Sequence, residues 1–267
     1  MEFCICVIIL SIHLFQRIYC KQRKVLEKLK NHPFAVETFF KKSIVLTFAI
    51  PKEELENLLP ACLELDTYDN KWAFIAVAMV ETEKLRPKGF PEFMGNDFFL
   101  IGYRIFVKYR NPKGKIFRGL YILKSETNKK KMEFFGNIFT HYNYATTDIV
   151  KKESKENTSF ESVKSKFNFA FSDIKEEISL PTNSPFTDWK TAKKYAGPLP
   201  FTFTVKENEI LIIEGVREKW NPKPIEIINY KFDFLNKFNF YDIKLANAFI
   251  IENIPYYWKK GRIEKWK

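Results

Sequence analysis

The sequence predicts a mainly β, α+β architecture in one domain, and three observations predict it. Long runs of β-branched and aromatic residues recur along the chain, 28 of its 267 residues are Phe, and several segments alternate apolar and polar side chains with a period of two. Helical patterns are few and short.

The elements follow in chain order. Residues 3–15 read FCICVIILSIHLF and are followed by a basic stretch. The apolar run falls short of the ~20 residues a spanning helix needs. It also has no positive charge before it and no small-residue cleavage site after it, so it is a poor signal peptide. Residues 1–31 therefore form a separate hydrophobic and basic segment, read as a marginal anchor or as sequence outside the native domain. Cys4 and Cys6 belong to the apolar run, with no ligand pair nearby for a metal.

The domain proper is expected from 32 to 261. Strands are predicted at 43–50 (SIVLTFAI), 71–80 (KWAFIAVAMV), 98–110 (FFLIGYRIFVKYR) and 117–123 (FRGLYIL), the last two joined across NPKGK as a hairpin. Period-two alternation marks Phe167, Phe169, Phe171, then Phe201, Phe203, Val205, then Tyr230, Phe232, Phe234. Residues 207–215 continue the second of these as a hairpin. Three helices are expected. One spans 51–60 with Pro51 in its first turn, and another spans 128–139 with Met132, Phe135 and Phe139 as a buried stripe. The third spans 184–198, capped by Ser184 and ended by Gly197 and Pro198. The polar segment 151–165 reads as a loop or hairpin rim, and 262–267 as a basic tail.

The formal net charge of +12 invites a polyanion partner, but its distribution argues otherwise. Six Lys/Arg against two Glu give residues 1–31 a charge of +4, and the last nine residues carry another +4. The body between them holds only +4, too little for the basic face that phosphate binding requires. No nucleic-acid partner is expected; the tails suit an anionic membrane surface better. The expected location is cytoplasmic, with membrane contact through the N-terminus. Four Cys do not make a disulfide scaffold, and three His leave little for a His-rich metal site. No metal or cofactor is expected.

There is no GxSxG, Walker or GxGxxG pattern. His32 precedes Pro33 at the domain edge, which leaves His141 as the one histidine within the body, and Cys62 has no visible base. The residues that stand out cluster around 104–144. Arg104 interrupts an apolar strand, so it must be paired, exposed or pocket-lining. Strand alternation puts Lys124 and Glu126 on one face, where they either line a pocket or pair on a solvent face, the second being preferred. Lys129, Lys130 and Lys131 open a helix and read as solvated. Tyr142 and Tyr144 share a face opposite His141. Glu214 and Arg217 stand as Arg104 does.

The blocks PKEELENLLPACLELDTYDNKWAFIAVAMV, RPKGFPEF, FFLIGYRIFVKY, GLYILKSETN and GNIFTHYNY, with GPLPFTF, EGVREKWNPKPI and LANAFIIENIPYYWKKG after them, resemble the YqjF-like family of the acetoacetate decarboxylase-like superfamily. The likeness runs from about His32 to Gly261. It implies a β-cone or barrel with a few flanking helices around a small-molecule pocket. The superfamily's decarboxylases use a lysine Schiff base with a second lysine beside it. The corresponding region here, FTHYNYA at 139–145, holds no lysine, so the resemblance transfers no catalytic residue. The expected function is binding of a small acidic or carbonyl-containing molecule by Arg104, Lys124, Glu126, His141 and Tyr144. Two alternatives remain: an enzyme acting on a keto or organic acid with His141 or Glu126 as acid/base, and a membrane-associated accessory protein.

Overall fold

The computed structural model describes residues 27–173, 177–195, 199–218 and 220–267. The apolar segment 3–15 with Cys4 and Cys6, the basic positions 17–24, and Gly197 and Pro198 lie outside the described residues.

The chain begins with β1 (Val36–Pro51), α1 (Lys52–Glu56), β2 (Leu63–Leu65), β3 (Trp72–Pro87), β4 (Asn96–Arg110) and β5 (Ile116–Thr127). Then come α2 (Lys130–Phe139), β6 (Tyr144–Thr146), β7 (Val150–Glu153), β8 (Thr158–Ser162), β9 (Phe167–Ser172) and α3 (Trp189–Ala192). The chain closes with β10 (Phe201–Lys206), β11 (Glu209–Arg217), β12 (Lys223–Pro224), β13 (Glu226–Phe232), α4 (Asp233–Asn236), β14 (Lys244–Trp258) and β15 (Arg262–Lys265).

Strands β14, β1, β3, β4, β5, β10 and β11 pair in that order, and β11 pairs back to β14 through Gly215–Trp258, Val216–Tyr257 and Arg217–Tyr256. The strands thus form a closed ring. A second sheet, ordered β13, β9, β8, β7, covers one face of it.

Burial on both faces explains why β1 and β3 read as nearly continuous apolar runs. Ile75, Val77 and Met79 of β3 enter the core shared with the second sheet, among Phe160, Phe169 and Phe232. Phe74, Ala76, Ala78 and Val80 enter a separate core on the opposite face, with Phe106 and Phe186. The Phe of the second sheet stack on one another, as Phe160 and Phe169 do at 5.1 Å.

Four local expectations change. The helix after Pro51 stops at Glu56, and Pro51 itself ends β1. The third helix shrinks to α3, capped by Asp188, whose side chain accepts from Thr191 N. Ser184 instead donates to the Ala246 carbonyl at 2.6 Å, tying the preceding loop to β14. Phe234 leaves the strand pattern because β13 ends at Phe232 and α4 begins. Finally, the tail expected at 262–267 holds β15, paired with β11 from Arg262 to Lys265, whereas 151–165 forms the β7–β8 hairpin, one of its two readings. Among the described residues no helix is long and apolar enough to cross a membrane.

Candidate active site

A cavity of about 490 Å³ opens on the ring face opposite the second sheet. Its walls come from alternate residues of successive strands: Val45 of β1, Ala78 and Val80 of β3, Leu100 of β4, Leu120 and Ile122 of β5. Period-two geometry sends these side chains to one face while their neighbours fill the other core. The α2 helix roofs the cavity with Met132, Phe135 and Phe139. The predicted buried stripe therefore faces open space, and Phe135 remains 43% exposed.

Polar groups gather at the inner end. Arg104 points inward from β4, and the surface it keeps opens into the cavity. It folds back over Gly102, two residues earlier on the same face, where a Cβ would lie 2.7 Å from Arg104 Nε. Nε is buried without a hydrogen-bond partner. No carboxylate among the described residues pairs with this guanidinium. Burial lowers its pKa, and the titratable groups that act on it are Tyr144, Tyr256 and Tyr142.

Those three tyrosines line the same end and are nearly buried. Burial pushes the Tyr144 pKa up to about 12 and raises Tyr142 and Tyr256 as well, so all three stay protonated donors at neutral pH. Local structure fixes them. Asn143 adopts a left-handed φ of 51° that Asn tolerates, reversing the chain between the two rings. Tyr144 N donates to Asn137 Oδ1 at 2.8 Å, and Asn137 Nδ2 donates back to the Tyr144 carbonyl at 2.9 Å. The Tyr144 ring packs where a side chain on Gly136 would stand, so α2 can approach only because residue 136 is Gly. Tyr256 reaches from β14 to its neighbours Gly215 and Arg217 on β11.

Of the five sequence-predicted residues, the cavity brings together Arg104 and Tyr144. A β-bulge separates Lys124 and Glu126 from them. Tyr103 pairs with Lys124 and Arg104 with Ile122, leaving Leu123 as one extra residue in β5. Before it, even-numbered residues face the cavity; after it, Ser125 does, and Lys124 and Glu126 turn to the opposite face. There they form an ion pair of 2.7 Å, with Lys124 Nζ 5.1 Å from the Phe234 ring centroid. The preferred solvent-face reading of this pair is overturned, because the Glu126 side chain is 3% exposed and accepts from Ser165 Oγ.

His141 lies in a separate groove of about 150 Å³ with Glu27 and Lys206. It contacts Asn31 Oδ1 at 3.0 Å, and burial lowers its pKa. Lys129, Lys130 and Lys131 are exposed, as their sequence pattern suggests. Lys131 reaches the cavity rim and is the one lysine among its described lining residues. Glu214 pairs with Lys259 at 3.0 Å. Cys62 is a free thiol whose pKa burial raises, on the other core.

Sequence reasoning passed over Tyr256 and gave Tyr142 no binding role. The signal for Tyr142 was its two-residue spacing from Tyr144, although the left-handed Asn143 between them, not a strand, brings the rings together. Tyr256 meets the others only through ring closure by β14, a pairing that no local pattern announces. Among the described residues no group of His, Cys, Asp and Glu could hold a metal ion.

Solved structures share the fold. An acetoacetate decarboxylase from Legionella pneumophila matches with a TM-score of 0.56 at 9% identity, covering 87% of this chain and 88% of that one. An acetoacetate decarboxylase-like enzyme from Sphingomonas wittichii gives 0.54 at 10% identity, covering 90% and 94%. The enduracididine biosynthesis enzyme MppR complexed with pyruvate gives 0.54 at 9% identity, covering 88% and 92%. No curated protein sequence matches the chain. The acetoacetate decarboxylase-like fold is thus established, and the family model for uncharacterized conserved proteins called DUF2071 matches residues 39–249, which places the chain in the DUF2071 family.

Proposed function

We propose that this chain binds a small organic acid in the cavity, without forming a Schiff base. The carboxylate is received by Arg104 and by hydroxyl donors from Tyr142, Tyr144 and Tyr256. One observation carries the reading: a guanidinium desolvated at the inner end of a cavity, with no counter-ion among the described residues. A buried charge without a partner is costly, and a site built to pair with a ligand's opposite charge accounts for that cost.

The Schiff-base step needs an amine at the reacting carbon and a desolvated setting that lowers its pKa. Lys131 is exposed at the rim, on α2, and so lacks that setting. Pyruvate in the MppR structure supports a small acid as ligand for this fold. Glu126 and His141 lie outside the cavity, so this reading gives them no part in it.

Calorimetric titration of the full chain with pyruvate, acetoacetate and straight-chain carboxylates tests the proposal. At least one acid should bind to the chain and lose tenfold or more in affinity with Arg104→Met. Borohydride treatment in its presence should leave no lysine adduct. Binding indifferent to Arg104, or a trapped adduct, would overturn it.

A further inference from the structure

We infer that the acid this cavity takes is amphipathic, a carboxylate held at Arg104 with an apolar tail running out toward the rim. This inference rests on the carboxylate reading above and deepens it. Four features carry it.

The cavity is far larger than a short acid. At about 490 Å³ it lies in the range of sites that enclose drug-sized ligands. A three- or four-carbon acid on Arg104 would leave most of the apolar wall facing water.

The wall beyond Arg104 is mostly apolar, through Val45, Val80, Leu100, Leu120 and Ile122, with Ser43, Thr82, Asn96, Ser125 and Thr202 among its uncharged polar members. Such a surface attracts methylene and aryl groups and offers a polar substituent few partners.

A second anionic group would find no free cation inside. The other basic residues of the described lining are His32, neutral because burial lowers its pKa to about 4, Lys131, exposed at the rim, and Arg86, which pairs with Glu37 at 2.8 Å. Dicarboxylates and phosphorylated acids therefore match the interior poorly.

The apolar path continues outward. Phe90 is 48% exposed, Met94 49% and Phe135 43%, all of them cavity-lining. Phe93 and Phe134, their chain neighbours, are 87% and 62% exposed. The buried guanidinium thus stands opposite a rim rich in exposed Phe and Met side chains, with Lys131 beside them, which orients an amphipathic acid with its carboxylate inward.

The test titrates the full chain with butanoate, octanoate and dodecanoate, each below its micelle concentration, and with 1-dodecanol. Trp258 lines the cavity and gives a fluorescence readout beside calorimetry. Affinity should climb by about three- to fourfold per methylene, the gain expected for burying each group. Dodecanol should bind at least tenfold more weakly than dodecanoate. Arg104→Met should weaken dodecanoate by a similar factor and leave dodecanol nearly unchanged. Phe135→Ser should weaken dodecanoate more than butanoate.

Butanoate binding that depends on Arg104, with no gain for longer chains, would overturn the amphipathic inference and leave the carboxylate reading standing. Failure of every acid to bind, or dodecanoate binding untouched by Arg104→Met, would overturn both. The comparison of acid and alcohol uses the unaltered chain, so it decides even if a variant folds poorly.

Discussion

Arg104 lies folded back across Gly102, its Nε 2.7 Å from where a Cβ on residue 102 would stand. The two residues share a face of β4, so the glycine leaves the space that the guanidinium occupies.

Gly102→Ala should therefore displace the guanidinium without removing it. Overpacking of this kind costs about 1–3 kcal/mol, and acid affinity should fall by about tenfold, equivalent to ~1.4 kcal/mol. In an Arg104→Met background the same alanine should add no further loss of binding. A double-mutant cycle by calorimetry measures this coupling, and additive losses would show that Gly102 acts elsewhere.

Arg104→Met should raise stability. The guanidinium is desolvated and has no carboxylate partner among the described residues, and a hydrophobic replacement of similar length removes that penalty. Replacing buried ionic groups by apolar ones often stabilises by about 1–4 kcal/mol. Chemical denaturation should show a higher midpoint at unchanged slope. A variant less stable than the parent would mean that the charge is compensated in the empty protein.

The Lys124–Glu126 pair should behave in the opposite way. Lys124→Met leaves Glu126, 3% exposed, without its cation, a change that typically costs about 3–5 kcal/mol. Adding Glu126→Gln should recover most of the loss. Acid binding should be unaffected in the double variant, since both side chains face away from the cavity. A selective loss of binding there would give the pair a ligand role.

His32 predicts a pH dependence. It is 6% exposed, its Nδ1 has no partner, and burial lowers its pKa to about 4 from 6.5. Above pH 6.5 the ring is neutral folded or unfolded, and stability from this group is complete. Between pH 6.5 and 4 the unfolded chain takes up a proton that the folded one refuses, so stability falls and then levels off. The shift corresponds to about 3 kcal/mol. His32→Asn suits the left-handed φ of 53° and should flatten that slope in urea titrations. Parallel pH profiles for the two proteins would refute the assignment.

Much of this was legible because strands advertise their faces. The runs at 43–50, 71–80 and 98–110 fall on β1, β3 and β4. Tyr142 and Tyr144 both line the cavity while His141 does not, although the left-handed Asn143 rather than strand alternation brings the two rings together. Arg104 was legible as a conflict, a charge within an apolar strand that needed explaining. What was not legible depends on long-range pairing. Tyr256 joins the site through ring closure, 152 residues from Arg104 along the chain. The burial of Glu126 depends on a covering sheet that begins more than twenty residues later. The α3 boundary failed for a local reason, since Asp188 outcompeted Ser184 as cap once Ser184 bonded to β14.

The single extra residue at Leu123 has a further consequence. It decides whether Ser125 or the Lys124–Glu126 pair looks into the cavity. Were the same residues laid out in regular alternation, without the bulge, every side chain of β5 after Ile122 would exchange faces, and the Lys124 amine would look into the cavity beside Arg104. Which groups a strand of this ring offers a ligand is thus governed by local register as much as by composition. Among related chains, the presence or absence of a bulge at this point of β5 should sort those that carry an inward amine from those that do not.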